Sequence, residues 1–507
     1  MFTIILAGLL CGQNPQGPLL LDQVKKDMIR LSTTDPTKPL DDLNPLNALL
    51  NGAQVVGIGE ATHGTSEFCA MKHRMFRYLV EKQGFTVFGL EASMPECLYM
   101  DDYVMYGKGD PKAAVVSQGF WTWSTQEMLD LITWMRQYNL DPKNKKKLRV
   151  VGYDMQSQVG CTLYFEEKEK AIKGNTDSLY WEKISYDPLD EVGRTQAKAK
   201  LGDLVISIKK KFGEEEGQRA EFVERVFFQS ETNTWIQKLV GMQMKVVPTM
   251  RETFQSAANL IAELKLTKGP VFDALTFIDA HKSKLIDIPR NKESAFTKLW
   301  IVQANAIREA SKGQRESIVI QLKGEADLLD FLTFTFTVPE VLRKPGSSTE
   351  SFRDESMARN IVQVSKSMFR GQKMMVWAHN GHIMRTHQLG VYESMGSFLN
   401  SSMGKSYYPI GFAFESGSFN VKDEEGRVVT RDVGGPKPNS LESILAKTGQ
   451  ALFFTPTKPG FGAFESRSIG ASYRPEFGEN YYMKFDVNEG YSGMIYIKKS
   501  TPSHLLK

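Results

Sequence analysis

The stretch Val55-Val56-Gly57-Ile58-Gly59-Glu60-Ala61-Thr62-His63-Gly64 constrains this chain more than any other, because its periodicity changes within a few residues. The short apolar run Val55 to Ile58 suits a buried strand, and the Gly-Glu-x-x-His-Gly that closes it places a carboxylate and an imidazole on the next loop. Phe68, Met71, Met75, Leu79 and Val80 then recur at helical spacing. Strand, polar loop and helix in that order are half of a β-α-β unit. Loops at the carboxyl ends of such strands hold ligands, which makes Glu60 and His63 candidate site residues.

The same layout recurs along the chain. Thr86-Val87-Phe88-Gly89-Leu90 runs into Glu91, and Arg149-Val150-Val151-Gly152-Tyr153 into Asp154. For Glu91, a capping role before Ser93 and Pro95 stands level with a role in a site. Lys373 to Ala378 leads into His379-Asn380-Gly381-His382. Between these lies Phe120 to Glu127, which opens an amphipathic helix with Ser124 or Thr125 as its N-cap. Trp121 either staples that helix or contacts a substrate. Lys72 and Asp154 are the other candidate substrate contacts.

At 507 residues the chain is long for one core. Strand-like runs are scarce between about 160 and 350, where charged segments alternate with apolar positions at helical spacing. The expected class is α/β, a two-part core interrupted by a helical insertion. The divisions are residues 1–20 as a signal segment, 21–160 as a first α/β unit with Glu60, His63 and Glu91, 161–350 as a mainly helical insertion, and 351–507 as a second α/β unit with His379 and His382. Residues 324–341 read as strand or helix. The apolar run Phe2 to Cys11 has the length of a signal-peptide core but lacks a basic lead, so export to the periplasm or envelope is expected, with the cytoplasm as the alternative. No other stretch reads as a membrane segment.

Composition removes several classes. With 41% apolar and 24% charged residues the chain is globular, and a formal charge of +4 is too small to mark a nucleic-acid surface. Cys11, Cys69, Cys97 and Cys161 contain no C-x-x-C pair, so neither a disulfide framework nor a zinc knuckle is indicated.

Of the seven histidines, His63, His379 and His382 follow strand-like runs at once. With Glu60 and Glu91 they form the set expected to converge. An imidazole takes a proton from water while a neighbouring carboxylate fixes its tautomer; a second imidazole, Lys72 or backbone N–H groups then meet the charge that grows on an ester carbonyl. A serine nucleophile is less well supported: there is no Gly-x-Ser-x-Gly elbow, and Thr65 beside Ser66 serves equally as a helix cap. Glu60, His63, His379 and His382 are all accepted zinc or manganese ligands, so a metal-assisted hydrolase using the same residues is the alternative. The helical His-Glu-x-x-His pattern is missing, and the first reading carries neither metal nor cofactor.

Gly59-Glu60-Ala61-Thr62-His63-Gly64 with Glu67-Phe68, Gly89-Leu90-Glu91-Ala92, Gly152-Tyr153-Asp154-Met155-Gln156, Arg353-Asp354 with Met357-Ala358 and Asn360, and Trp377-Ala378-His379-Asn380-Gly381-His382 together resemble the erythromycin esterase family. Relatives of that family are often labelled succinoglycan biosynthesis proteins. The resemblance implies a two-part α/β core around a helical subdomain and hydrolysis of a carboxylic ester, in the named members the macrolactone of a macrolide antibiotic. By position, His63 is similar to the family's general base, Glu60 and Glu91 to its site acids, and His379 and His382 to its second histidine pair. Lys72 stands where the family usually has arginine; it keeps the charge and loses the planar fork. The implied partner is a small-molecule ester. A protein of envelope polysaccharide production with little esterase activity is a third reading.

Overall fold

The computed structural model describes residues 16–174, 191–234, 349–388 and 392–506, with a few single positions between 262 and 280. Its strands are β1 (Ile29–Arg30), β2 (Val55–Ile58), β3 (Phe85–Ser93), β4 (Arg149–Asp154), β5 (Lys373–Trp377), β6 (His387–Gln388), β7 (Tyr392–Glu393), β8 (Tyr407–Lys422), β9 (Val428–Val433), β10 (Leu452–Pro456), β11 (Ala463–Arg467), β12 (Tyr482–Asp486) and β13 (Gly493–Ser500). A nine-stranded sheet runs in the order β1-β10-β13-β8-β2-β5-β3-β4, with β9 paired to β8; β6-β7 and β11-β12 are separate hairpins. From β13 through β8, β2, β5 and β3 to β4 every pairing is parallel, whereas β1, β10 and β9 join antiparallel.

The mixed α/β class is the one the periodicity implies, and the sheet joins its two α/β segments closely. β5, from beyond residue 351, lies between β2 and β3, pairing Ile58 with Trp377 on one side and Leu90 with Trp377 on the other. Strands covered on both faces need no polar alternation. Accordingly every residue of β2 and β3 is buried. Val56, Ile58, Phe88, Met375 and Trp377 share one core with Phe68 and Met75 of the Ser66–Gln83 helix and with Phe412 of β8. Full burial of side chains of this size contributes about 1.5–3 kcal/mol each.

The helix after β2 ends at Gly84, whose φ of 72° gives the left-handed turn that lets the chain reverse into β3. Gly64 is needed for a different reason. A Cβ there would lie 2.0 Å from the Asn420 carbonyl oxygen of β8, so the loop after β2 lies against backbone that no side chain can displace cheaply.

Two compact units divide the chain. One contains Met1–Tyr164, Glu221–Val226 and Arg353–Lys507; the other contains Phe165–Ala220 and Phe227–Phe352. The second is mainly helical where it is described, with Glu191–Phe212 as its longest described helix, burying Leu201 and Ile208. The segment 324–341 lies outside the described residues, and so does the apolar run 2–11. Gln16–Asp27, which overlaps the end of the expected signal segment, is a helix that buries Leu20 and Val24. Among the described residues no helix is long and apolar enough to cross a membrane.

Candidate active site

Four neighbouring parallel strands, β2, β5, β3 and β4, each end in ionisable groups. Glu60 and His63 follow β2 directly. Asp154 is the last residue of β4. His379 follows β5 and caps the short Asn380–Ile383 helix that carries His382. Glu91 lies within β3, at a register irregularity between Leu90 and Ser93, and such bulges redirect a side chain out of the regular pleat. The N-cap of the following Met94–Tyr106 helix is Ser93, so Glu91 does not cap it.

Glu60 is completely buried and its carboxylate accepts three hydrogen bonds. Oε1 lies 2.5 Å from His63 Nδ1, and Oε2 accepts from Lys72 Nζ at 2.6 Å and from Trp377 Nε1 at 2.9 Å. Burial acts most strongly and in the raising direction, but Lys72 and His63 together outweigh it and hold the Glu60 carboxyl below its ordinary value. Ionised Glu60 keeps a proton on His63 Nδ1. The lone pair is therefore on Nε2, which has no hydrogen-bond partner among the described residues, and the His63 side chain is 13% exposed.

A second network faces this pair. Arg353 Nη2 donates to Glu91 Oε1 and to Asp154 Oδ2, each at 2.7 Å, while its Nε donates to Asp154 Oδ1 at 3.1 Å. His382 Nδ1 lies 2.8 Å from Asp354 Oδ1; its Nε2 lies 3.1 Å from Arg353 Nη1 and 3.3 Å from Glu91 Oε1. A neutral ring thus accepts from Arg353, and a protonated ring donates to Glu91. Burial opposes the charged ring most strongly, yet Asp354 and Glu91 prevail and raise the His382 pKa. Glu91 is also buried, a raising influence that His382, Arg353 and His63 overcome, leaving its pKa well below the carboxylate range. The backbone N–H of His379 donates to Glu91 Oε2 at 3.0 Å, which brings the two networks to one space.

His379 stands between them with its ring centroid 5.2 Å from that of His63. Its Nδ1 accepts from the Gly381 backbone N–H at 3.2 Å, so the proton is on Nε2, which donates to the Ile469 carbonyl at 3.2 Å. Both nitrogens are occupied. Burial first, then the neighbouring His63 and His382, lowers its pKa to about 3, and the ring stays neutral. Ile469 in turn donates its N–H to the Ala61 carbonyl at 2.8 Å, fixing the His63 loop from the same side.

The three residues expected to touch substrate have distinct settings. Lys72 is completely buried with its ammonium on Glu60, and Asp154 is completely buried with both oxygens on Arg353. Trp121 is half-buried; two residues later Trp123 meets the edge of His63 at 6.2 Å between centroids and donates Nε1 to the Glu91 carbonyl at 3.1 Å. Thr125 is the N-cap of the Gln126–Leu140 helix, its hydroxyl accepting from Met128 N–H. Sequence reasoning did not select Arg353, Asp354, Trp123 or Trp377 as site residues, although Arg353-Asp354 and Trp377 stand within the short blocks quoted above. Among the described residues no group of three His, Cys, Asp or Glu side chains is disposed to hold a metal ion.

Comparison with known proteins gives a consistent picture. The model of the family described as erythromycin esterase matches residues 80–217 and 272–500. The chain is 22% identical over 481 residues to the Bacillus subtilis protein named "Putative hydrolase YbfO", covering 92% of this chain and 88% of that one. It is 28% identical over 141 residues to erythromycin esterase type II of Escherichia coli, an alignment spanning 28% of this chain and 32% of the esterase. A Bacillus cereus protein of known structure superposes with a TM-score of 0.58 at 22% identity, covering 97% of this chain and 99% of that one. A solved succinoglycan biosynthesis protein does so with a TM-score of 0.56 at 22% identity, covering 98% and 100%. At that identity the two structures speak for the fold.

Proposed function

From the premise that this chain belongs to the erythromycin esterase family, a membership that supports a hydrolase, we propose that it cleaves a carboxylic ester with water activated by His63. The observation that carries the reading is the 2.5 Å contact between Glu60 and His63 Nδ1, which leaves Nε2 without a hydrogen-bond partner among the described residues on a side chain that is 13% exposed. Water bound there gives its proton to Nε2 as its oxygen bonds to the ester carbon. The carbonyl π pair becomes an oxyanion, and Arg353 and His382 supply positive charge on the facing side. Collapse of the tetrahedral intermediate breaks the C–O bond, and the His63 imidazolium returns the proton to the departing alkoxide. The products are a carboxylic acid and an alcohol.

Lys72 and Asp154 act in this scheme through Glu60 and Arg353 rather than on the ester. Neutral His379 forms a wall against which the ester packs. The name borne by the Escherichia coli relative makes the macrolactone of erythromycin the first substrate to try. The test is ring opening of erythromycin and hydrolysis of p-nitrophenyl acetate by the purified protein, with and without a chelator. Turnover that survives chelation and disappears in His63→Ala supports the proposal; turnover that persists in His63→Ala overturns it, and loss on chelation moves the reading to metal-assisted hydrolysis by the same residues.

A further inference from the structure

Residues 501–506 cross the N-terminal ends of two helices, Ser66–Gln83 and Gln126–Leu140, and supply backbone partners to both. Thr65 pairs with Pro502 and Thr125 with Leu505 as isolated antiparallel bridges. The Ser66 N–H donates to the Thr501 carbonyl at 2.9 Å and the Gln126 N–H to the His504 carbonyl at 2.7 Å, so each helix has a first-turn donor satisfied by this segment. Thr65 supplies no side-chain cap; its hydroxyl lies 2.5 Å from that of Thr62. Carboxylates in both first turns answer in the other direction. Glu67 accepts from Thr501 N–H and hydroxyl, both at 2.7 Å, and Glu127 accepts from His504 Nδ1 at 2.8 Å and from Ser66 Oγ at 2.6 Å.

The segment also holds the loop that carries the base. The Gly64 carbonyl accepts from Ser503 N–H at 2.9 Å and from Asn420 N–H at 3.0 Å, and Asn420 Nδ2 donates to the Ser503 carbonyl at 2.6 Å. Gly64 directly follows His63. On the other helix, Leu506 N–H donates to the Ser124 carbonyl at 2.9 Å, next to Trp123, whose ring meets the edge of His63. One short strap therefore joins the two loops that bring His63 and Trp123 together.

We propose that residues 501–506 are a positioning strap that sets His63 against Trp123 and Glu60, with Ser503 the residue that acts on the His63 loop. The proposal rests on the reading of His63 as base. The test uses three proteins: the full chain, a chain ending at Ser500, and Ser503→Pro, which removes the N–H given to Gly64 together with the hydroxyl that Asn420 Nδ2 reaches at 3.2 Å. Turnover of p-nitrophenyl acetate is measured beside the 1H–13C resonance of the His63 ring. The expected result is a fall in kcat of about 10-fold or more with KM little changed, as misplacement of a catalytic group produces. A synthetic peptide of Thr501–Lys507 added to the shortened chain restores kcat and returns the His63 resonance to its full-chain position. An unshifted His63 resonance in a folded Ser503→Pro protein overturns the strap. If the full chain itself leaves p-nitrophenyl acetate intact, the esterase reading fails, and the resonance alone still decides the strap.

Discussion

The ammonium of Lys72 stands 4.2 Å from the centroid of the Trp377 ring, and both groups donate to the same oxygen of Glu60. Burial, the largest influence on Lys72, lowers its pKa, and Glu60 restores it only in part. Neither partner is exposed to solvent, so removing one leaves the other uncompensated. Lys72→Met is expected to lose about 3–5 kcal/mol of stability. In the fraction that folds, the Glu60 pKa rises and the acid limb of the kcat/KM profile moves to higher pH. An unmoved acid limb would detach Lys72 from the base. Lys72→Arg retains the charge, and its profile is expected to stay near that of the unaltered protein.

Glu60 also selects the tautomer of His63. Glu60→Gln keeps the shape, but a neutral amide no longer holds the Nδ1 proton through charge. The expected loss is about 10²–10⁴-fold in kcat with KM little affected. A pure KM effect would assign Glu60 to binding instead.

Arg353 reaches Glu91 and Asp154 through one terminal nitrogen while its Nε holds the other Asp154 oxygen. Lysine cannot make that fork. Arg353→Lys is expected to lower kcat/KM about 10-fold or more, and Asp154→Asn to lower it in the same direction by releasing the guanidinium. Steady-state kinetics on p-nitrophenyl acetate check both.

Two buried histidines oppose a third in setting the pH dependence of stability. His73, which the Ser66–Gln83 helix sets against Trp134 of the Gln126–Leu140 helix, and His379 are both held down to about 3, chiefly by burial. Below the ordinary value of 6.5 the unfolded chain binds protons that these folded groups refuse, so stability falls as pH drops from there toward 3. Each contributes about 1.4 kcal/mol per pH unit within that window. His382 is raised, so its contribution is complete below 6.5 and is lost as pH climbs through its folded value. Urea unfolding between pH 4 and pH 9 should show the acid loss, and His73→Leu should remove about half of the histidine slope. An unchanged slope would place the acid sensitivity in the carboxylates.

How much was readable from the chain depended on distance along it. Apolar runs of a few residues placed Glu60, His63, Glu91, Asp154, His379 and His382 at strand ends, because strand and polar loop are local patterns. The pairing of Arg353 with Asp154 joins residues 199 positions apart, which no local pattern encodes. The same holds for His379, whose second nitrogen is occupied by the carbonyl of Ile469, 90 positions on. Trp121 and Trp123 have the same chemistry, and only the turn between them decides which one meets His63. Glu91 lies at a bulge that its composition does not reveal, and the N-cap of the next helix is Ser93 instead.

The place of β5 between β2 and β3 bears on how the molecule is made. A chain emerging from the ribosome presents the strand of Glu60 and the strand of Glu91 long before Lys373–Trp377 exists, and the two do not pair with each other in the finished sheet. Until the later segment arrives, both keep hydrogen-bonding edges that invite wrong partners. The half-made protein is therefore the form most exposed to aggregation, and the strands of Glu60 and Glu91 are joined in one sheet only after Lys373–Trp377 has entered between them.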